Sequence, residues 1–147
     1  MIRPRIKYIE KVHYKLHTPK GHVDIGVFGA QGSQRVIIAA SNEFGTEDGR
    51  IPERSFLRSA YNEEKEKMFD RINKSKLDIV LGKISAKTIL ERIGLYMQSQ
   101  VRKKINTSPS WAEKNADSTL KKKFPITKPL FAGEDRIKKD ITYKVKT

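Results

Sequence analysis

The sequence predicts an α+β domain, a small antiparallel sheet packed with two long helices. Three observations carry that expectation. Val23, Ile25 and Val27 alternate along one short stretch, and Ile141-Thr142-Tyr143-Lys144-Val145 alternates again at the end, the period of a half-buried strand. Between them, two stretches place apolar residues three or four apart, the period of a helix with one buried face. The 147 residues, 37% of them apolar, fit a single domain, residues 1–147, with a thin core.

In chain order, the segment from Pro4 to Leu16 is two-sided. Ile6, Ile9, Val12 and Leu16 fit a helical stripe, while Ile6, Tyr8, Val12, Tyr14 and Leu16 fit alternation nearly as well; helix is the expectation. Thr18-Pro19-Lys20-Gly21 is a turn, because proline presets one dihedral and glycine frees another. His22 to Phe28 reads as a strand, Gly29 to Ser33 as a loop, and the apolar run from Gln34 to Ala40 as a second strand buried on both faces. Together these predict a β-hairpin over residues 22–42. Gly26, Gly29 and Gly32 do not make a phosphate loop, since such a loop opens a helix and these lead into the next predicted strand.

The next element is a corner, Ser41-Asn42-Glu43-Phe44-Gly45-Thr46, running through an acidic turn into Ile51-Pro52-Glu53-Arg54-Ser55-Phe56-Leu57-Arg58. Pro52 suits a first helical turn and Glu53 the positive end of the helix dipole. A helix over 52–81 follows, with Phe56, Leu57, Ala60, Tyr61, Met68 and Ile72 on its apolar face and Gly82 as its stop. Ser85 is the next N-cap, and Ile89, Leu90, Ile93, Met97, Val101 and Ile105 build a second helix over 85–106. Residues 107–130 lose periodicity and read as a long loop with a short helix near Glu113–Lys121; such loops are usually functional or ordered by a partner. Trp111, the only tryptophan, fits a core or loop-closing role. The closing strand, 140–146, completes the hairpin's sheet.

Composition narrows the classes of partner. The net charge is +14, of which +10 falls between Lys83 and the end, so anionic partners are favoured. There is no cysteine, which removes disulfides and thiolate metal sites. No run approaches the ~18 apolar residues of a membrane span, and Met1-Ile2-Arg3-Pro4-Arg5 is followed by no apolar block, so neither membrane anchor nor signal peptide is expected.

Candidate chemistry is sparse. His13 and His17 are four apart, which is metal-ligand spacing on a helix, but no third ligand accompanies them. Glu43, Glu47, Asp48 and Glu53 gather near the corner without a nucleophile or an oriented base beside them. The expectation is a protein that is not an enzyme and uses no cofactor or metal.

Val27-Phe28-Gly29, then Ile38-Ala39-Ala40-Ser41-Asn42-Glu43-Phe44-Gly45-Thr46, then Ile51-Pro52-Glu53-Arg54-Ser55-Phe56-Leu57-Arg58 resemble the tail-completion and neck proteins of tailed bacteriophages, the virion-morphogenesis and minor-tail-Z-like families. Ile93-Gly94, Val101-Arg102-Lys103-Lys104-Ile105, the Pro109/Trp111 loop, Lys128-Pro129-Leu130 and Ile141–Val145 continue the likeness in order. Phe131-Ala132-Gly133-Glu134-Asp135-Arg136 departs from the Ile-Asp-Thr-Gly-Arg-like turn of that group.

The resemblance implies a structural virion protein of the head–tail connector, assembled in the bacterial cytoplasm as a homo-oligomeric ring, six-fold to match the tail. Its neighbours would be a portal-side adaptor or stopper and the tail tube or terminator, with genomic DNA in the lumen. A tail-terminator role and a basic nucleic-acid-binding module are the alternatives. On this view Glu43, Glu47, Asp48, Arg54 and Trp111 are candidate subunit-interface residues. Arg102, Lys103, Lys104, Lys121, Lys122 and Lys123 are candidate contacts to DNA or another anionic partner.

Overall fold

The computed structural model describes residues 12–18, 21–123, 129, 130 and 136–147. It is an α+β fold, as the sequence predicts. Two strands, β1 (Val12–Thr18) and β2 (Gly21–Val27), are followed by a 3-10 turn (Gly29–Gln31) and helices α1 (Ser33–Phe44), α2 (Phe56–Val80) and α3 (Ala86–Asn106). A second 3-10 turn (Ser108–Ser110), short helices α4 (Asp117–Lys123) and α5 (Arg136–Asp140), and strand β3 (Thr142–Lys146) complete the order.

The sheet is three-stranded and antiparallel in the order β1-β2-β3. Its central strand carries Val23, Ile25 and Val27, all buried, onto α3, which also covers β3. Helix α2 packs in turn on α3. The core therefore runs from β2 through Leu90, Ile93, Met97 and Ile105 of α3 to Phe56, Leu57, Met68 and Ile72 of α2. One glycine sets the distance between the layers. A Cβ on Gly94 would overlap the ring of Tyr143 on β3, so only glycine lets α3 approach the sheet this closely here.

Two expectations for the first third of the chain are corrected. Residues 12–16 are strand rather than helix; the rest of the segment from Pro4 lies outside the described residues. The hairpin accordingly forms one element earlier, with Thr18 opposite Gly21 across the predicted turn. His13 and His17 lie on a strand, so the helical spacing that suggested metal ligands does not apply.

The second correction follows from the first. Gln34 to Ala40 is helix α1, not a strand, and the predicted hairpin over 22–42 is replaced by strand, turn and helix. Val36, Ala39, Ala40 and Glu43 are buried while Ile37 is 43% exposed, which is a helical face rather than an alternating one. Once β1 has taken one edge of β2 and β3 the other, α1 is left to close an end of the sheet. Its tie is Arg35, whose Nη1 donates to Asp140 Oδ1 at 2.5 Å.

The long helices and the last strand fall close to the predicted bounds. Helix α2 begins at Phe56 rather than Pro52, because residues 52–55 are held extended against the end of α1. Ser85 caps α3 by accepting from Thr88 N at 3.0 Å. The long loop contains α4, a turn later than predicted, and Trp111 closes it through an indole N–H donated to Lys104 O at 3.0 Å. No helix among the described residues is long and apolar enough to cross a membrane.

Candidate functional site

The corner between α1 and α2 is the most heavily wired part of the described chain, and it is built around two buried charges. The Glu43 side chain leaves the last turn of α1 and lies across the start of α2. Oε2 accepts from Leu57 N at 2.8 Å, and Oε1 accepts from Arg58 N at 2.9 Å and from Ser55 Oγ at 3.0 Å. Backbone N–H groups at a helix start have no partner within the helix, and a carboxylate there also meets the positive end of the dipole. Glu43 thus supplies from α1 the cap that Ser55 does not make itself. Burial pushes its carboxyl above the ordinary 4.5, and the hydrogen bonds from Arg58, Leu57 and Ser55 pull it back.

Arg54 is the second buried charge, 4% exposed. Its Nε donates to Glu113 O at 2.7 Å, Nη2 to Lys114 O at 3.1 Å and Nη1 to Asn42 Oδ1 at 3.2 Å. Asn42 is fixed by donating Nδ2 to Ile38 O at 2.9 Å, and its own carbonyl accepts from Arg54 N at 2.6 Å. One guanidinium thereby joins the end of α1, the start of α2 and the chain that follows Trp111. Burial draws Arg54 below its ordinary pKa, and the nearby Glu113 charge opposes this.

Gly45 makes the corner sterically accessible. It has φ +71°, and a Cβ there would stand 2.9 Å from Glu53 N, closer than any side chain tolerates. Beyond it the loop closes on itself: Thr46 N donates to Ile51 O at 2.9 Å, and Ile51 N donates to Thr46 Oγ1 at 3.0 Å. Glu47, Asp48, Gly49 and Arg50 project from that closure and are exposed. Asp48 pairs with Arg50 at 3.2 Å, and its hydrogen bonds from Thr46 and Arg50 hold it below the usual carboxylate range. Beside the corner lies a cleft of about 310 Å³, apolar along Ile38, Ile51, Pro52 and Leu130 and polar where Asn42 and Arg54 reach it.

These placements separate the residues proposed as one interface. Glu43 and Arg54, expected as interface residues, are instead buried and hydrogen-bonded within the subunit, and the exposed part of the corner begins at Glu47. Glu47 and Asp48 are at the surface; Trp111 is half-buried beneath Lys104, whose Nζ stands 5.0 Å from the ring centroid. Phe56 and Leu57 anchor α2 inside, as expected, at 0% and 1% exposure.

The basic residues divide in the same way. Arg102 donates Nη2 to Ile141 O at 3.1 Å, and Lys104 pairs with Glu63 on α2, so both are engaged within the fold. Lys103, Lys121 and Lys122 are exposed; the side chain of Lys123 is outside the described residues. What the sequence does not reveal is the cross-link between α2 and α3. Tyr96 donates to Glu64 Oε2 at 2.6 Å, and the Arg71 guanidinium lies 4.4 Å from the Tyr96 ring centroid. The signal available is a tyrosine on one helix and charged residues on another, which is too common to single these residues out.

The fold and the corner define a small basic α+β domain with a helix-capping latch. The chain matches no protein-family model, no curated protein and no solved structure.

Proposed function

We propose that this chain is a structural subunit of a bacteriophage head–tail connector, a tail-completion protein that joins the portal-side adaptor to the tail as part of a homo-oligomeric ring. The observation that supports this most is the corner. Five residues of the stretch that carries the likeness to neck proteins have a physical task in it: Asn42 orients Arg54, Glu43 caps α2, Gly45 permits the close approach, Thr46 closes the loop and Phe56 anchors the helix. Residues of a motif that meet in a single latch are a folding signature, which suits a scaffold better than a reaction centre. The outward tip, Glu47 and Asp48, and the adjacent cleft suit contact with a neighbouring subunit. Lys103, Lys121 and Lys122 suit contact with phosphate in the lumen without base readout.

The test is the location of the chain in the particle. A reconstruction of the virion should place it as a ring between portal and tail, and loss of the gene should leave filled heads and finished tails unjoined. A particle with no copy of the chain at that junction, or normal joining without the gene, overturns the proposal.

A further inference from the structure

Helix α2 exposes an apolar stripe, Phe69, Leu77, Val80 and Leu81, but apolar area alone names no partner. Strand β3 leaves something more specific open, a row of backbone hydrogen-bonding groups. The order β1-β2-β3 makes it an edge strand. Lys146 O lies where a Cβ on Gly21 would fall, so that carbonyl turns toward β2. Backbone groups alternate in direction along an antiparallel pair. Thr142, Lys144 and Lys146 therefore bond to β2, opposite Gly26, Asp24 and His22, while Tyr143 and Val145 turn their N–H and C=O groups outward. Among the described residues no other element pairs with them.

Helix α3 walls this edge on one side. It runs antiparallel to β3: Gly94 packs on Tyr143, and Gln98 Nε2 and Arg102 Nη2 both donate to Ile141 O, at 2.8 and 3.1 Å. At 3.6 residues per turn Glu91, Leu95, Gln98 and Arg102 fall within an arc of about 60°, on the flank of α3 opposite Tyr96 and Lys104, which face α2. Leu95 is 60% exposed there, and with Ser99, Arg102 and Lys103 it lines an open groove of about 470 Å³.

We propose that this edge takes an added strand, antiparallel to β3, from an acidic extended segment of another protein. The unpaired backbone groups fix the form of the occupant, since an extended chain presents donors and acceptors at their spacing. Its side chains would alternate. Those level with Tyr143 and Val145 lie on the α3 side, near Leu95, and should be apolar. Those level with Lys144 and Lys146 lie on the outer face, where Lys144 stands over the Phe28 ring, and should be acidic. Charge supports that choice: Lys144 and Lys146 are exposed, as are Lys103 and Lys139 at the end near Ile141. The acid on the α3 wall, Glu91, is engaged with Lys87 at 3.9 Å. The same lysines disfavour a second copy. Pairing β3 with itself so that Tyr143 meets Val145, or Val145 meets Val145, sets lysine opposite lysine, which is destabilising; lysine on a short edge strand is a common guard against self-addition. The inference goes beyond the connector reading and does not rest on it.

The test uses the purified whole chain and a fluorescein-labelled peptide of about seven residues that alternates glutamate with valine. Anisotropy should give a Kd on the order of 10–100 µM, and the amides of Tyr143 and Val145 should gain protection from hydrogen exchange as the peptide binds. The decisive arm is backbone methylation. N-methylating the valines removes the amides that would bond Tyr143 and Val145 and should weaken binding at least ~10-fold; N-methylating the glutamates, whose amides point to solvent, should change it less than ~3-fold. A peptide of the same composition with its glutamates in one block, and one alternating lysine with valine, should each bind at least ~10-fold more weakly. Lys144→Gln should weaken the alternating peptide ~3-fold with unchanged circular dichroism. No binding at about 1 mM overturns the proposal. So does a loss on valine methylation no greater than that on glutamate methylation, or a block peptide that binds as tightly as the alternating one, for either would reduce the contact to plain charge attraction. These arms use the wild-type chain, so they decide the matter even if Lys144→Gln does not fold. None of the results bears on whether the chain lies in the neck of a particle.

Discussion

The two ends of α2 are made to opposite plans. At its start, Phe56 and Leu57 are fully buried, Glu43 caps the amides, and Arg54 ties the approach to Glu113 and Lys114. At its end, Leu77, Val80 and Leu81 stand in solvent, and the helix stops in a plain turn at Gly82, φ +69°. The same helix is therefore latched at one end by groups from elsewhere in the chain and offered outward at the other. Apolar residues near a helix end say that something is to be covered; only the contacts from other elements say whether the chain itself covers it.

That contrast can be broken most severely at the latch. Glu43→Ala leaves two amides of α2 and the Ser55 hydroxyl without their acceptor and opens a buried gap, and should lower stability by ~2–4 kcal/mol in denaturant unfolding. The loss should also depend on pH, with a definite sign. Because the folded-state carboxyl is raised above 4.5, the folded chain holds a proton that the unfolded chain has released between 4.5 and that raised value. The contribution of Glu43 is thus fullest near and below 4.5 and declines as pH rises through the folded-state value. The difference between wild type and Glu43→Ala should shrink across that window; a difference that grows with pH would contradict the burial argument.

Arg54→Lys comes next, at ~1–3 kcal/mol, since one ammonium cannot reach the carbonyls of Glu113 and Lys114 and the Asn42 side chain in the geometry of a fork. Hydrogen exchange should report the loss first in the segment after Trp111; a loss confined to α2 would mean that the tie matters to the helix alone. At the far end of α2 the effect should nearly vanish. Leu77→Asp should change stability by less than ~0.5 kcal/mol, because among the described residues of its own chain none covers it. A loss above 1 kcal/mol would show that the stripe serves the fold.

Much of this contrast was legible in the sequence on one side and hidden on the other. The stripes of α2 and α3 and the alternation of β2 and β3 are long enough for the period to decide. Val36-Ile37-Ile38-Ala39-Ala40 is not, since a short apolar run suits a buried strand and a buried helix alike. Glu43 separates the two, for Val36, Ala39, Ala40 and Glu43 keep helical spacing, but a glutamate is not ordinarily counted among core positions. Glu43 could not be recognised as a cap because its partners, Ser55, Leu57 and Arg58, lie beyond a loop whose path the sequence does not give. The exposed stripe was hidden for a different cause: Phe69, Leu77 and Val80 look like core until the other face is seen to be already full.

The closure of Thr46 onto Ile51 has a practical consequence. Its two hydrogen bonds shut the loop below Glu47-Asp48-Gly49-Arg50, and the tip above it is held by exposed bonds of its own, from Gly49 N to Thr46 O at 3.0 Å and from Thr46 Oγ1 and Arg50 N to Asp48 Oδ1 at 2.7 and 3.0 Å. Length added between Asp48 and Gly49 gives up only the tip's own bonds, has solvent to grow into and displaces no buried side chain. The tip is thus a port: a place where an epitope or a fluorophore-bearing peptide can be spliced into the chain while the latch beneath it stays shut.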